Sequence, residues 1–145
     1  MRIDETLVLG VDPETLWPWI STTERLAEWI ADAKSFEAKP AGALVQGSRL
    51  IVHLPRGAPI EANVERAERG RVLVLRAGGL PNKLEVLLTF LVREQEGHSV
   101  LTLSAETQLT GIMMFAEKMI ASKARAKLTT WVEALRKAVG GSLGG

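Results

Sequence analysis

Cysteine and tyrosine are missing from all 145 residues, and histidine occurs only as His53 and His98. Without cysteine there is no disulfide framework, no thiolate nucleophile and no sulfur ligand for a metal. The two histidines are too far apart in sequence to form a local ligand pair, and no HExxH-type helix exists. Neither a metal nor a cofactor is expected. An excess of charge is also lacking: Lys and Arg number 18 against 17 Asp and Glu. Nothing here attracts a polyanion, and no base-reading or phosphate-cradling motif is present, so nucleic acid is not an expected partner. The opening MRIDETLVLG has neither a charged n-region nor an apolar h-region. No apolar run approaches the ~18 residues of a membrane span. No integral membrane segment is expected, and the expected location is the cytoplasm.

Aromatic side chains are scarce but concentrated. Three of the four tryptophans, Trp17, Trp19 and Trp29, fall within LWPWISTTERLAEWI, residues 16–30. A chain of this length removes roughly 68–70% of its unfolded surface from water, so one core is expected. Residues 3–11 alternate Ile3, Glu5, Leu7, Leu9, Val11, the period of a half-buried strand. Asp12-Pro13-Glu14 then reads as a helix start, with Asp as N-cap and Pro in the first helical position. Ser21-Thr22-Thr23-Glu24 offers a second N-cap for another short helix carrying Leu26, Trp29 and Ile30. From residue 34 onward, strand-like segments alternate with turn signals: 34–39, 48–54, 60–66, 71–77, 84–93 and 100–109. Ile112 to Val139 contains no proline or glycine and predicts one long helix. The expected organisation is a single domain over residues 1–139 followed by a disordered Gly-rich tail, 140–145.

The run Leu9-Gly10-Val11-Asp12-Pro13-Glu14-Thr15-Leu16-Trp17, with Thr23-Glu24-Arg25-Leu26-Ala27-Glu28-Trp29 after it, resembles the opening of the SRPBCC or START-like superfamily. Gly47, the stretch Gly97-His98-Ser99-Val100-Leu101-Thr102-Leu103 and the closing helix extend the resemblance over nearly the whole chain. The polyketide cyclase/dehydrase and lipid-transport branch is nearest, with the chaperone-ATPase-activator branch a weaker match. The resemblance implies an α+β helix-grip fold: a curved antiparallel sheet of about seven strands wrapped round a long C-terminal helix, two short helices after the first strand, and a cavity between sheet and helix. It also implies that Trp29 lies near the cavity mouth, where ligand contact and plain core are both open readings.

Strand alternation indicates which side chains face that helix. Leu84, Val86, Leu88, Phe90 and Val92 share one parity; so do Leu101, Leu103, Ala105 and Thr107, then Leu50, Val52 and Leu54, then Ile60, Ala62 and Val64. Residues 71–77 are ambiguous, with Leu73, Leu75 and Ala77 preferred over Val72 and Val74. On the long helix, 100° steps place Met113, Ala116, Ile120, Ala124, Leu128, Trp131, Leu135 and Ala138 on one stripe, thin at its start and bulky at its end. That taper predicts a void near the start of the helix, closed at the far end by tryptophan, with methionines that simply fill core gaps as the rival reading.

The candidate ligand-facing set is therefore Trp29, Val52, Leu54, Leu75, Val86, Leu88, Phe90, Leu103, Ala105, Met113, Ala116 and Ile120, and a small hydrophobic molecule is the expected partner. Candidate polar contacts are Glu5, Arg76, Thr107 and Lys127. For Glu5 the rival position is the rim, and for Lys127 a stem that packs while the ammonium reaches water. His53 sits on the outward parity. Catalysis would need polar groups converging on one spot, and no such constellation is legible. A lipid, isoprenoid, quinone-like or polyketide-like ligand is the leading expectation. Its rivals are a cyclase or dehydratase using Glu5, His53, Arg76 and Lys127 as proton carriers, and an assembly protein or homodimer using Phe115. Trp17 is expected to pack its helix on the sheet, and Trp19 to be half-exposed.

Overall fold

The computed structural model describes residues 1–78, 85–107 and 117–144. Seven strands, β1 (Arg2–Leu9), β2 (Ser35–Lys39), β3 (Arg49–His53), β4 (Ile60–Glu68), β5 (Val72–Gly78), β6 (Val86–Gln95) and β7 (His98–Glu106), form one antiparallel sheet in the order β1-β7-β6-β5-β4-β3-β2. Every neighbour after β2 follows its predecessor through a hairpin, and β1 closes on β7. Helices α1 (Pro13–Ser21) and α2 (Thr23–Trp29) follow β1, and α3 (Glu117–Gly144) lies across the sheet, chiefly against β1.

Local chemistry accounts for most of the boundaries. Asp12 accepts the Thr15 amide at 2.8 Å, and that bond holds its carboxyl below the usual carboxylate range. Thr22 occupies the N-cap position of α2 without capping it; its hydroxyl and its amide both turn back to the Pro18 carbonyl. Pro18 stands in the middle of α1, exposed, so its ring faces water. Glu96 and Gly97 both take positive φ, 52° and 81°, in the two-residue turn joining β6 to β7. In β4 a bulge lies between Val64 and Arg66, so parity shifts and Ala67, not Arg66, joins the packed face.

The strand parities expected from alternation hold for the described residues. Leu73, Phe90, Leu101, Leu103 and Val64 are buried, and the ambiguous strand β5 turns Leu73, Leu75 and Ala77 inward. Helix α3 differs in two respects. Its buried line runs through Leu128, Val132, Leu135 and Val139, with Trp131 only half-buried at the edge, so the apolar face is rotated from the expected stripe. The cause is geometric: a helix lying on a curved surface is oriented by the packing of its whole length, which the side-chain pattern alone does not specify. The helix also runs to Gly144, beyond the expected end at Val139. Buried Leu135 and Val139 anchor the last packed turns, and once a helix is nucleated each further residue adds a bond at small cost, even for glycine at about 1 kcal/mol. Among the described residues no helix is long and apolar enough to cross a membrane.

Candidate functional site: an apolar cavity between sheet and helix

Between α3 and the concave face of the sheet lies a cavity of about 320 Å³. Its walls come from three directions. Leu26, Ile30 and Ala33 belong to α2 and the segment after it; Phe36, Leu50, Val52, Leu54 and Ile60 belong to β2, β3, the turn after β3 and the start of β4; Ala62, Leu75, Ala77, Val86, Leu88, Phe90 and Ala105 form the floor. Helix α3 supplies Ala124, Lys127, Leu128 and Trp131.

The space exists because alanine stands where neighbouring core positions carry leucine or phenylalanine. Ala62 and Ala77 are direct partners across β4 and β5, and Ala105 sits opposite Leu88 across β6 and β7. Ala124 faces them from the helix side of the same cavity. A signal for this was present in the sequence: three inward-parity alanines on three strands.

Asp32 and Lys127 are the charged residues among those described in the lining, and they meet at the mouth. Asp32 Oδ2 accepts from Lys127 Nζ, while Asp32 Oδ1 accepts the Trp131 indole N–H at 2.9 Å. Lys127 and Trp131 are four residues apart on α3, hence on one face one turn apart. The Lys127 hydrogen bond, aided by that of Trp131, holds the Asp32 carboxyl below the ordinary carboxylate range. Both charged side chains remain partly open to water, 51% for Lys127 and 39% for Asp32, so the pair marks the opening rather than the interior.

The candidate residues separate accordingly. Val52, Leu54, Leu75, Val86, Leu88, Phe90, Ala105 and Lys127 line the cavity. Trp29 does not. It is 3% exposed, packs edge-on against Phe90 with ring centroids 6.5 Å apart, and donates its indole N–H to the Trp19 carbonyl at 2.8 Å. A buried indole needs an acceptor, and the α1 backbone supplies it. Trp19 is buried too, at 5%, with the Arg25 guanidinium 4.4 Å above its ring, so the expected half-exposed position is corrected; a stacked cation covers the ring. Leu103 is buried core and not part of the lining. Met113 and Ala116 lie outside the described residues, as does Phe115, and Ile120 belongs to α3 with no described side-chain environment.

Three of the four candidate polar contacts lie elsewhere. Glu5 accepts from Thr129 at 3.2 Å, where α3 rests directly on β1. Thr107 is buried and donates to the Glu85 carbonyl at 2.7 Å. Arg76 forms an ion pair with Glu65 on the outward face, because β5 keeps the register that turns Leu75 and Ala77 inward. His53 pairs with Glu37 at 3.3 Å, also away from the cavity. What sequence reasoning missed is Asp32. It lies in a short loop between α2 and β2 with no periodic pattern to flag it. A second concavity, an open outer groove near the β4–β5 turn, holds Arg66, Arg69, Arg71 and Arg93 beside Glu14, Glu68 and Glu94. Three of its four arginines pair with acidic neighbours, Arg66 and Arg71 with Glu68 and Arg69 with Glu14.

No protein-family model matches the chain, and no curated protein sequence does. Solved structures do match by shape. The crystal structure of protein MLL2253 from Mesorhizobium loti superposes with a TM-score of 0.78 at 16% identity over 96% of each chain. DynU16, a protein of the dynemicin biosynthetic locus, superposes with a TM-score of 0.73 at 13% identity. That likeness covers 94% of this chain and 46% of DynU16, so this chain spans less than half of DynU16's length. The fold is that of the SRPBCC or START-like superfamily. The Aha1 dimer from Colwellia psychrerythraea shares it, with a TM-score of 0.70 at 16% identity over 96% of each chain. START-like architecture thus accounts for the curved sheet, the long helix and the space between them; the lining and the Asp32–Lys127 mouth belong to this chain's own residues.

Proposed function

We propose that this protein binds a small hydrophobic molecule, of lipid, isoprenoid, quinone-like or polyketide-like character, in the cavity between sheet and α3. The observation that carries the reading is the lining itself: apart from Asp32 and Lys127, every described wall residue is apolar. A concave, largely apolar space of a few hundred cubic ångströms with a few polar groups at one end is the usual form of a small-molecule site. Water gains little in such a space, because it needs two to four polar partners to be held there.

The geometry lends less support to proton shuttling. Of Glu5, His53, Arg76 and Lys127, only Lys127 faces the cavity, and a proton carrier must come within hydrogen-bond reach of its substrate. A cyclase or dehydratase acting through that set of four is therefore not the reading favoured here.

The test is native mass spectrometry of protein purified from its own host, with organic extraction of whatever it carries. A discrete apolar adduct, released by extraction, is the expected result. Bare chain from several growth conditions, together with no uptake of apolar probes, would sink the proposal.

A further inference from the structure

The described cavity wall is apolar and its polar atoms stand at the rim, where Asp32 meets Lys127; the chemistry of that rim restricts what fits there. Resting on the ligand-binding reading above, we infer that the preferred ligand is a neutral molecule with a hydroxyl group on a compact apolar skeleton, the hydroxyl seated between Asp32 and Lys127 at the mouth.

The donors and acceptors left open at the rim decide which head group fits it. Lys127 offers three N–H donors and spends one on Asp32. Asp32 accepts from Lys127 on one oxygen and from Trp131 on the other, which leaves lone pairs on both oxygens for a further donor. The Trp131 indole has a single N–H, already used. The unused valences at the mouth are thus ammonium donors beside carboxylate acceptors. A hydroxyl complements both at once, accepting from Lys127 and donating to Asp32. A carbonyl or ether oxygen satisfies the lysine alone. A carboxylate brings a second negative charge against an aspartate already ionised, and an ammonium brings a second positive charge against Lys127. A wholly apolar molecule strips water from the pair without replacing its hydrogen bonds.

Size restricts the skeleton. The cavity, at about 320 Å³, is about twice the roughly 150 Å³ engineered cavity that holds benzene. Two fused rings, or a chain of similar bulk, fit without displacing a wall.

The experiment compares three molecules of one shape: naphthalene, 2-naphthol and 2-naphthoate. Each is titrated at neutral pH as a competitor of the neutral fluorescent probe N-phenyl-1-naphthylamine bound to the full chain. The expected result is that 2-naphthol binds roughly tenfold more tightly than naphthalene, the usual gain from hydrogen bonds to charged groups, with 2-naphthoate weaker than 2-naphthol. In Lys127→Met and in Asp32→Asn the ratio of naphthol to naphthalene affinity, measured within each variant, shrinks to within about twofold. Both substitutions sit at a water-exposed mouth, and a thermal melt checks that each variant folds; Trp131→Phe serves as a third variant. Equal affinities for naphthol and naphthalene overturn the hydroxyl assignment and leave the hydrophobic-ligand reading standing. Tightest binding of 2-naphthoate overturns it in favour of an anionic head group. Failure of the fluorescent probe and of all three molecules to bind overturns both readings together.

Discussion

Helix α3 meets the sheet in two ways along its length. Toward its C-terminal half, Leu128, Val132, Leu135 and Val139 are buried, and the helix rests on β1, whose Ile3 and Leu7 are buried beneath it. Toward its middle, Ala124, Lys127 and Trp131 face β2 to β7 across an open space floored by Ala62, Ala77 and Ala105. Both regions use α3, the same sheet and the same inward parity. What differs is side-chain volume, and it decides whether the interface is filled or left open. Close-packed contact holds the helix down, so the other half can remain unfilled without loss of the fold.

Substitutions can break or sharpen that contrast. The largest effect is expected from Leu135→Ala in the filled half. Leu135 is fully buried, so truncation is expected to cost about 2–5 kcal/mol in urea unfolding. Leu88→Ala on the open floor starts half-exposed to the cavity and should cost well under half as much. Equal losses would remove the distinction between the halves. Trp29→Phe comes next, with an expected loss of about 1–3 kcal/mol because the Trp19 carbonyl loses its buried donor. Its apolar-probe affinity should stay within about twofold of wild type, since Trp29 is not in the lining, whereas a large loss of affinity would return Trp29 to the site.

Ala77→Phe should reverse the pattern. The added ring enters open space, so stability is expected to change by less than about 1.5 kcal/mol while probe binding falls at least about tenfold. A large destabilisation would mean that the space is not available in solution. The smallest effect concerns acid. Asp32 has a lowered pKa in the folded chain, so its contribution to stability is fully present above the ordinary carboxylate pKa of about 3.9 and is lost as pH falls through the lower folded value. Because the pair is substantially water-exposed, Asp32→Asn should flatten the acid limb of a stability–pH curve by no more than about 1 kcal/mol. An unchanged limb would show that the mouth pair contributes nothing to folding.

Much of the cavity wall could be read from alternation, because a strand's two-residue period is a local property and needs no knowledge of partners. Val52, Leu54, Val86, Leu88, Phe90 and Ala105 were legible for that reason. Trp29 was not, since the side of a helix that meets a void depends on what packs beside it; here that neighbour is the backbone of α1. Glu5 had the right parity but lies under the part of α3 that touches β1. The rotation of α3 was hidden for a related reason: Val132 and Val139 fall just outside the stripe that ideal 100° steps draw, and contact with a curved sheet selects them.

The sequence by itself determined the order of elements, the inward face of most strands and the apolar character of the enclosed space. Hydrophobic periodicity, turn residues and the Asp12 cap all act over a few residues. Only the tertiary structure decided that Trp19 and Trp29 pack together, that alanines from three strands lie over one void, and that Asp32 meets Lys127 and Trp131 across nearly a hundred residues of chain. Those contacts depend on how far the sheet curls and where the helix settles, which is a property of the whole packed chain.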